Sequence, residues 1–273
     1  MADKTLYLID GTALLYRAYY AFIRNPLVNS KGQNTSAIYG VVNSFLHFLD
    51  THSPEYIIVS FDRKAPTFRH ELSDLYKANR PPMPDELISQ VEPVMMFFAS
   101  IGLPEISLDG FEADDILATL ARHFCADMDV SIVTGDKDFS QLIDDRIKLY
   151  DPMKDAEIDR DAVIEKYGIN PGQFIDYLAL VGDSSDNIPG VKGIGPKTAT
   201  GLLQKYQTLD NIYENLDKIG GSSHEKLKTY KKNAYLSQEL ATIITNAPIE
   251  IPDMKSIRFD RQNLAHSLPL LTE

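Results

Sequence analysis

The chain has 273 residues, with 27 Lys+Arg against 39 Asp+Glu and a formal net charge of −12. A 44% hydrophobic and 24% charged composition is that of a globular chain, long enough for one large core or a core with a small appendage. Fifteen Gly, fifteen Pro and the single cysteine Cys125 exclude disordered, collagen-like and disulfide-stapled chains, and a lone thiol fits a cytosolic setting.

The start, MADKTLYLID, has no basic segment followed by an apolar one, so no secretory leader is expected. TLYLI at 5–9 reads as a first strand, ended by Asp10, and LLYRAYYAF follows with Arg17. Ala37 to Leu49 has helical spacing, and YIIVSF at 56–61 is a second strand, ended by Asp62. The segment 63–84, RKAPTFRHELSDLYKANRPPMP, is basic, interleaved with Phe68 and Tyr76, and closes on a Pro pair. Leu87 to Ala99 is helical, and its apolar run PVMMFFASIGL falls far short of the roughly 20 residues of a membrane span. Ala113 to Phe124 is a helix opened by GFEADD, with Glu112, Asp114 and Asp115. VSIVT at 130–134 is followed by Asp136 and Asp138 in GDKD, and IKLY at 147–150 reads as a further strand. Strands alternating with helices predict an α/β fold with a parallel sheet covered on both faces.

After about residue 160 the strand signal stops. Asp161–Tyr167, Phe174–Val181 and Thr198–Tyr206 read as short helices, separated by NPG and by IPGVKGIGPK. Residues 1–170 are therefore expected to form the α/β core and 171–273 a helical part, packed as one unit. The stretch 247–273 is weakly patterned, as if a longer protein continued beyond it.

Four chain-distant segments bring Asp10, Asp62, Glu112/Asp114/Asp115 and Asp136/Asp138 to the carboxyl rim of such a sheet, where ligands bind. Asp183 and Asp186, in GDSSDN after the helix 174–181, are positioned to join them. One acid at a helix start is ordinarily a cap, and one Asp after a strand a turn residue. Their conjunction at one rim is not explained that way. Crowded carboxylates need either raised pKa values or a bound cation. Hard oxygen ligands without Cys or His select Mg²⁺ or Mn²⁺, and two such ions about 3.5–4 Å apart activate water and stabilise a leaving oxygen.

Three windows, 63–80, 187–206 and 224–235, each hold three more basic than acidic residues, so discrete basic islands sit on an acidic body. On charge alone these islands are solvated surface. In the first, Arg69, Lys77 and Arg80 are candidates to grip phosphates, and Phe68 or Tyr76 to stack on an unpaired base; alone the segment reads as an exposed amphipathic helix. In the second, GVKGIGPKT is not a P-loop, because Pro196 stands where Lys is required. LIDGT likewise fails as a phosphatase motif, since Leu8 occupies the nucleophile position. What remains is a glycine-rich hairpin (Gly190, Gly193, Gly195) with Lys192 and Lys197, leading into a helix. It resembles a helix–hairpin–helix grip on a duplex backbone. Cys125 reads as a core residue.

Taken together, LIDGTALLYRAYYAF, VSFDRKAPTFRHEL, YKANRPPMP, GFEADDILATLA, TGDKDFSQL and LALVGDSSDNIPGVKGIGPKTA resemble the 5′-nuclease family. This family includes the 5′-nuclease domain of bacterial DNA polymerase I, the flap endonucleases and the phage 5′–3′ exonucleases. The likeness runs in the same order from about residue 5 to 245. It implies a PIN-like nuclease core, a helical arch at about 65–95 over the active site, and a helix–three-turn–helix element. Family metal-site acids correspond to Asp10, Asp62, Glu112, Asp114, Asp115, Asp136, Asp138, Asp183 and Asp186. Family arch residues correspond to Arg69, Tyr76, Lys77 and Arg80, and a phosphate-contacting arginine to Arg17. Arg17, Lys77 and Arg80 are thereby the expected catalytic cations.

The resemblance also implies K⁺ at GVKGIG, bridging carbonyls and a DNA phosphate. Some short relatives lack acids in the later motifs, whereas Asp183 and Asp186 are both present here. Nothing resembles a polymerase domain, so the chain is either an excised N-terminal domain or a stand-alone nuclease. The expected activity is Mg²⁺- or Mn²⁺-dependent cleavage near the junction of a 5′ flap and duplex, leaving a 5′-phosphate. The expected setting is a cytosolic monomer removing RNA primers and damaged 5′ ends. Two rivals stand beside it. A catalytically silent DNA-junction binder would not need nine acids, and a small-phosphoester phosphatase would need neither hairpin nor arch.

Overall fold

A computed structural model of the protein describes residues 4–269. The outermost residues of the two expected units, 1–3 and 270–273, lie outside the described residues.

β1 (Thr5–Asp10) alternates cleanly: Leu6 and Leu8 enter one core, Tyr7 and Ile9 the other. α1 (Gly11–Ala21) starts at once, because the Asp10 carboxylate accepts from the Ala13 amide at 2.9 Å and caps it. Gly11 is required at that turn, since a Cβ there would lie 2.5 Å from the Phe61 ring. α2 (Ser36–His52) packs on α1 and leads to β2 (Tyr56–Ser60), whose five residues are all buried. α3 (Phe68–Leu72), α4 (Asp85–Ser100) and α5 (Ala113–Phe124) precede β3 (Asp129–Val133), β4 (Ile147–Asp151) and β5 (Ala156–Ile158).

The strand order is β2-β1-β3-β4-β5; the first four are parallel and β5 is antiparallel to β4. α1, α2 and α4 cover the face carrying Ile9, Ile57 and Val59, and α5 covers the face carrying Leu6, Leu8, Ile58 and Ile132. The covered parallel sheet is as expected. β5 was not foreseen, because its three residues AEI are too few to show a period.

The helical part continues as α6 (Arg160–Tyr167), α7 (Phe174–Val181), α8 (Pro196–Tyr206), α9 (Leu209–Glu214), α10 (Gly221–Thr229) and α11 (Lys231–Ala241). The sequence showed no sign of α9 to α11. They are short and polar, each buries only a narrow stripe such as Leu227 or Ala234, Ser237 and Leu240, and they are held by packing such as α11 on α7. The same core runs from Leu6 and Ile116 to Leu203 and Leu240, so both parts share one interior.

Two segments take forms that their local pattern does not show. The segment 63–84 is not an exposed amphipathic helix: only Phe68–Leu72 is helical, and turns follow to the Pro81–Pro82 pair, which ends any helix before it. The stretch after residue 247 is ordered against the sheet edge. Ile57 donates to the Ile257 carbonyl (3.0 Å) and Phe259 to Glu55 (2.9 Å), so the tail shields the unpaired side of β2. Among the described residues no helix is long and apolar enough to cross a membrane.

Candidate active site

β1 lies between β2 and β3, and the chain leaves β1 and β3 toward opposite sides of the sheet. A crevice opens there at the strands' carboxyl ends. It contains a cavity of about 540 Å³ lined by Asp10, Asp62, Glu112, Asp114 and Asp136, with Lys77 and Arg80 on the facing wall. Tyr16, Tyr20, Arg63 and Lys64 also line it.

Most of these acids are held by donors from other elements. Asp10 is buried, and its second oxygen accepts from the Thr134 hydroxyl at 2.9 Å. Burial pushes its carboxyl up to about 7 despite the Ala13 amide and Thr134, and the charges of Asp62 and Asp136 add to the effect. Asp62 accepts from the Ala113 amide (2.8 Å), while its own amide donates to Thr12 (2.8 Å). Asp136 accepts from the Asp138 amide at 2.9 Å. Asp114, half-buried and crowded by Asp10 and Asp136, is pushed well above the carboxylate range. Glu112 is clasped on both oxygens: Oε1 lies 2.7 Å from the Lys77 ammonium, and Oε2 accepts from the Tyr76 hydroxyl (3.1 Å) and Arg69 (3.3 Å).

Next to this cavity is a second cluster. The Lys137 ammonium pairs with Asp183 and lies 3.5 Å from Asp138 Oδ1, an atom that has no hydrogen-bond partner among the described residues. Burial and then Asp136 push Asp138 up to about 7. Burial would raise Asp183 too, but Lys137 and Ser185 hold it below the usual range. Asp186 pairs with Arg80 and accepts from Tyr76 at 3.4 Å.

Four expected site residues stand elsewhere. Asp115 is fully buried, and both its oxygens are taken by Arg69 (2.7 and 2.8 Å) and by the amides of Glu112 (3.1 Å) and Ile244 (2.8 Å), which leaves no lone pair facing the cavity. Arg69, 2% exposed, spends its remaining donors on the carbonyls of Leu240 (3.0 Å) and Thr242 (2.7 Å), so it cannot grip a phosphate. Tyr76, 4% exposed, is bonded to carboxylates and presents no face for a base. Phe68 packs on Phe111 outside the cavity.

Arg17 does not line the cavity either; it donates to the Gly135 carbonyl (3.2 Å) and to Asp151 (2.7 Å). Asp151 is buried, which alone would raise it, yet Arg17 and Lys154 hold it below the usual range.

The hairpin between α7 and α8 is built by glycines. Gly182 and Gly190 have φ of +76° and +60° and pass so close that a Cβ on Gly190 would lie 2.4 Å from the Gly182 nitrogen. Gly190 donates to Ser237 on α11 (2.9 Å). Lys192, Gly193, Gly195 and Lys197 are exposed. Within GVKGIG, the hairpin expected to hold K⁺ on its carbonyls, the Gly193 carbonyl accepts from the Lys226 ammonium at 3.0 Å.

Sequence reasoning missed Thr12, Thr134 and Lys137. Thr134 directly precedes GDKD, and Lys137 stands between two of the acids, so a search for donors beside the acids would have found both.

The donor set suits hard divalent ions: oxygen only and crowded, with Asp10 and Asp138 pushed up to about 7 and one buried Asp138 oxygen without a hydrogen-bond partner among the described residues. Among the described residues no three acids already close on one ion-sized point. Lys77, Lys137 and Arg80 hold several of them apart.

Residues 5–168 match the family model of the 5′–3′ exonuclease N-terminal resolvase-like domain, and residues 169–264 that of the 5′–3′ exonuclease C-terminal SAM fold. The chain is 44% identical over 260 residues to DNA polymerase I of Pseudomonas aeruginosa, covering 92% of this chain but 28% of that protein. It is 41% identical to DNA polymerase I of Caldicellulosiruptor bescii, covering 95% of this chain and 31% of the relative. It therefore spans less than a third of these relatives' length. Against the 5′–3′ exonuclease of Aquifex aeolicus it is 38% identical, covering 97% of this chain and 91% of the relative.

Among solved structures, phage T5 5′-exonuclease with bound divalent metal ions (zinc) shares the fold at a TM-score of 0.77 and 20% identity, covering 98% of this chain and 99% of that one. The catalytic core of Rad2 in complex with DNA substrate shares it at 0.63 and 16%, covering 99% and 88%.

Proposed function

The chain belongs to the 5′–3′ exonuclease family, and we propose that it is a structure-specific 5′ nuclease that hydrolyses a phosphodiester near the junction of a 5′ single-stranded flap and duplex DNA. One observation carries this reading: carboxylates from four chain-distant segments line a single cavity faced by Lys77 and Arg80. That is an acid-walled site with two cations among the residues that line it. Asp10, Asp62, Glu112, Asp114 and Asp136 would hold one set of Mg²⁺ or Mn²⁺ ions. Asp138, Asp183 and Asp186 would supply a second set once Lys137 and Arg80 turn away. Ions bound there supply an activated water and stabilise the departing 3′ oxygen.

The remaining roles belong to the protein. Lys77 and Arg80 would neutralise charge developing on the scissile phosphate. Arg17 is assigned to steadying the Gly135–Asp136 turn through Asp151 and the Gly135 carbonyl. Gly190, Gly193 and Gly195 shape the hairpin, and Lys192 and Lys197 would grip duplex phosphates without reading bases. A K⁺ at the hairpin would compete with the Lys226 ammonium for the Gly193 carbonyl.

The proposed role is removal of RNA primers and damaged 5′ ends in the cytosol, as a monomeric nuclease or as the nuclease part of a polymerase like the longer relatives. The test is cleavage of a 5′-labelled flap duplex, in Mg²⁺, in Mn²⁺ and in EDTA, beside the same strand unpaired. Metal-dependent cutting at the junction supports the reading. Tight binding without cutting in either metal would replace it with a silent junction binder, and faster hydrolysis of p-nitrophenyl phosphate than of DNA with a phosphatase.

A further inference from the structure

We propose that Arg69 and Asp115 form a positioning pair that sets Glu112 in the acid cavity and fastens the C-terminal helical part beneath it, with neither residue touching substrate or metal. The proposal rests on the nuclease reading for the role of Glu112, and on geometry for the rest.

The pair is bidentate, at 2.7 and 2.8 Å, and both residues are at most 2% exposed. Every polar atom of the two side chains is engaged. Arg69 reaches Glu112 Oε2 with the same nitrogen that meets Asp115 Oδ2, and Asp115 Oδ2 also accepts the Glu112 amide. Glu112 is thus held at its backbone by Asp115 and at its carboxylate by Arg69, with Tyr76 and the cavity-lining Lys77 as its remaining contacts.

On its other side the pair grips the end of α11 and the segment after it. Arg69 donates to the carbonyls of Leu240 and Thr242, and Asp115 accepts the Ile244 amide. Three chain-distant segments therefore meet at one ion pair: α3, the start of α5 and residues 240–244. A buried ion pair holds segments together no better than packed apolar side chains of the same volume. Joining segments alone would not require these charges, whereas orienting a carboxylate at a reaction centre does. Residues that orient a metal-site carboxylate typically alter metal affinity or rate by about 10–100-fold when replaced.

The experiment compares Arg69→Lys, Asp115→Asn, the double variant and Gln238→Leu with the unaltered chain. Gln238 is the control because it lies near the end of α11 and holds that helix to α7 by donating to Asp176 (2.6 Å), without touching any of the site acids. Four quantities are read: Mg²⁺ binding by calorimetry without DNA, flap affinity in EDTA, kcat and KM on the flap duplex, and Tm.

The positioning role predicts a Mg²⁺ affinity and kcat about 10–100-fold lower in Arg69→Lys and in Asp115→Asn, with flap affinity in EDTA and KM unchanged. The double variant would be no worse than the worse single one. Gln238→Leu would lower Tm without changing Mg²⁺ affinity.

Three results would overturn it. Equal loss of Mg²⁺ affinity in Gln238→Leu would make the pair a matter of stability alone. A larger, additive loss in Asp115→Asn would make Asp115 a direct ligand. Weakened flap binding in Arg69→Lys at unchanged Mg²⁺ affinity would make Arg69 a phosphate contact. If the unaltered chain fails to cut flaps, the nuclease reading falls, while calorimetry still decides whether the pair governs metal binding.

Discussion

The backbone amide of Lys77 donates to the carbonyl of Asp186 at 2.9 Å, and the Lys77 ammonium lies 3.8 Å from the Asp186 carboxylate. Lys77 adopts φ +54° to do so, a left-handed conformation that persists only where the surroundings impose it. Asn79 donates to Ser184 and Asn187 to Leu75, both at 2.7 Å, and Arg80 pairs with Asp186. The segment over the cavity and the turn leading into the hairpin are thus one docked unit. A lysine aimed at the acids is positioned by the element that would hold duplex DNA.

Lys77→Ala should lower the single-turnover rate on a flap duplex by roughly 10²–10³-fold, the typical loss when one donor to developing charge is removed. Binding of the flap in EDTA should change little. A variant with a normal rate at saturating enzyme would remove Lys77 from the reaction.

Asp10 and Asp138 have folded-state pKa values of about 7, against an ordinary carboxylate value near 4. Between these values the folded chain binds more protons than the unfolded chain, so the stability of the metal-free protein falls as pH rises from about 4 through 7. In EDTA, Tm should therefore be lower at pH 8 than at pH 5. Mg²⁺ should raise it more at pH 8, and Asp10→Asn should flatten the fall while abolishing cleavage. Scanning fluorimetry checks this, and a Tm independent of pH in EDTA would contradict the assignment.

Lys197→Ala should weaken duplex binding and reduce the slope of log K against log salt by about one, as expected for a single lost phosphate contact. Titrations at several salt concentrations measure it. An unchanged slope would take the start of α8 out of the DNA interface.

Gly190→Ala places a Cβ 2.4 Å from the Gly182 nitrogen at a φ of +60°. Backbone strain of this kind costs about 1–3 kcal/mol. Urea unfolding should register that loss, and duplex binding should fall with it. A variant as stable as the unaltered chain would mean the hairpin can open without cost.

Much of this protein is written in local pattern. Runs such as TLYLI and YIIVSF carry their strand signal in adjacent residues, and acids that end strands are placed at the carboxyl rim by connectivity alone. The parallel sheet and the cavity acids Asp10, Asp62, Glu112, Asp114 and Asp136 were therefore legible. So was the glycine hairpin, because positive φ and close backbone approach demand glycine itself.

Tertiary structure decided the fate of residues whose types allow two answers. Asp114 and Asp115 are neighbours of one kind, yet a helix turns successive side chains about 100° apart, so one faces the cavity and the other the core. Arg69, Tyr76 and Lys77 form part of one basic, aromatic stretch. Whether each meets solvent, a phosphate or a buried carboxylate depends on residues 112–115, 186 and 240–244. Charge and residue type determine what a side chain can bind. Only the folded chain, by bringing distant partners within 3 Å and excluding water, determines which of those partners it has.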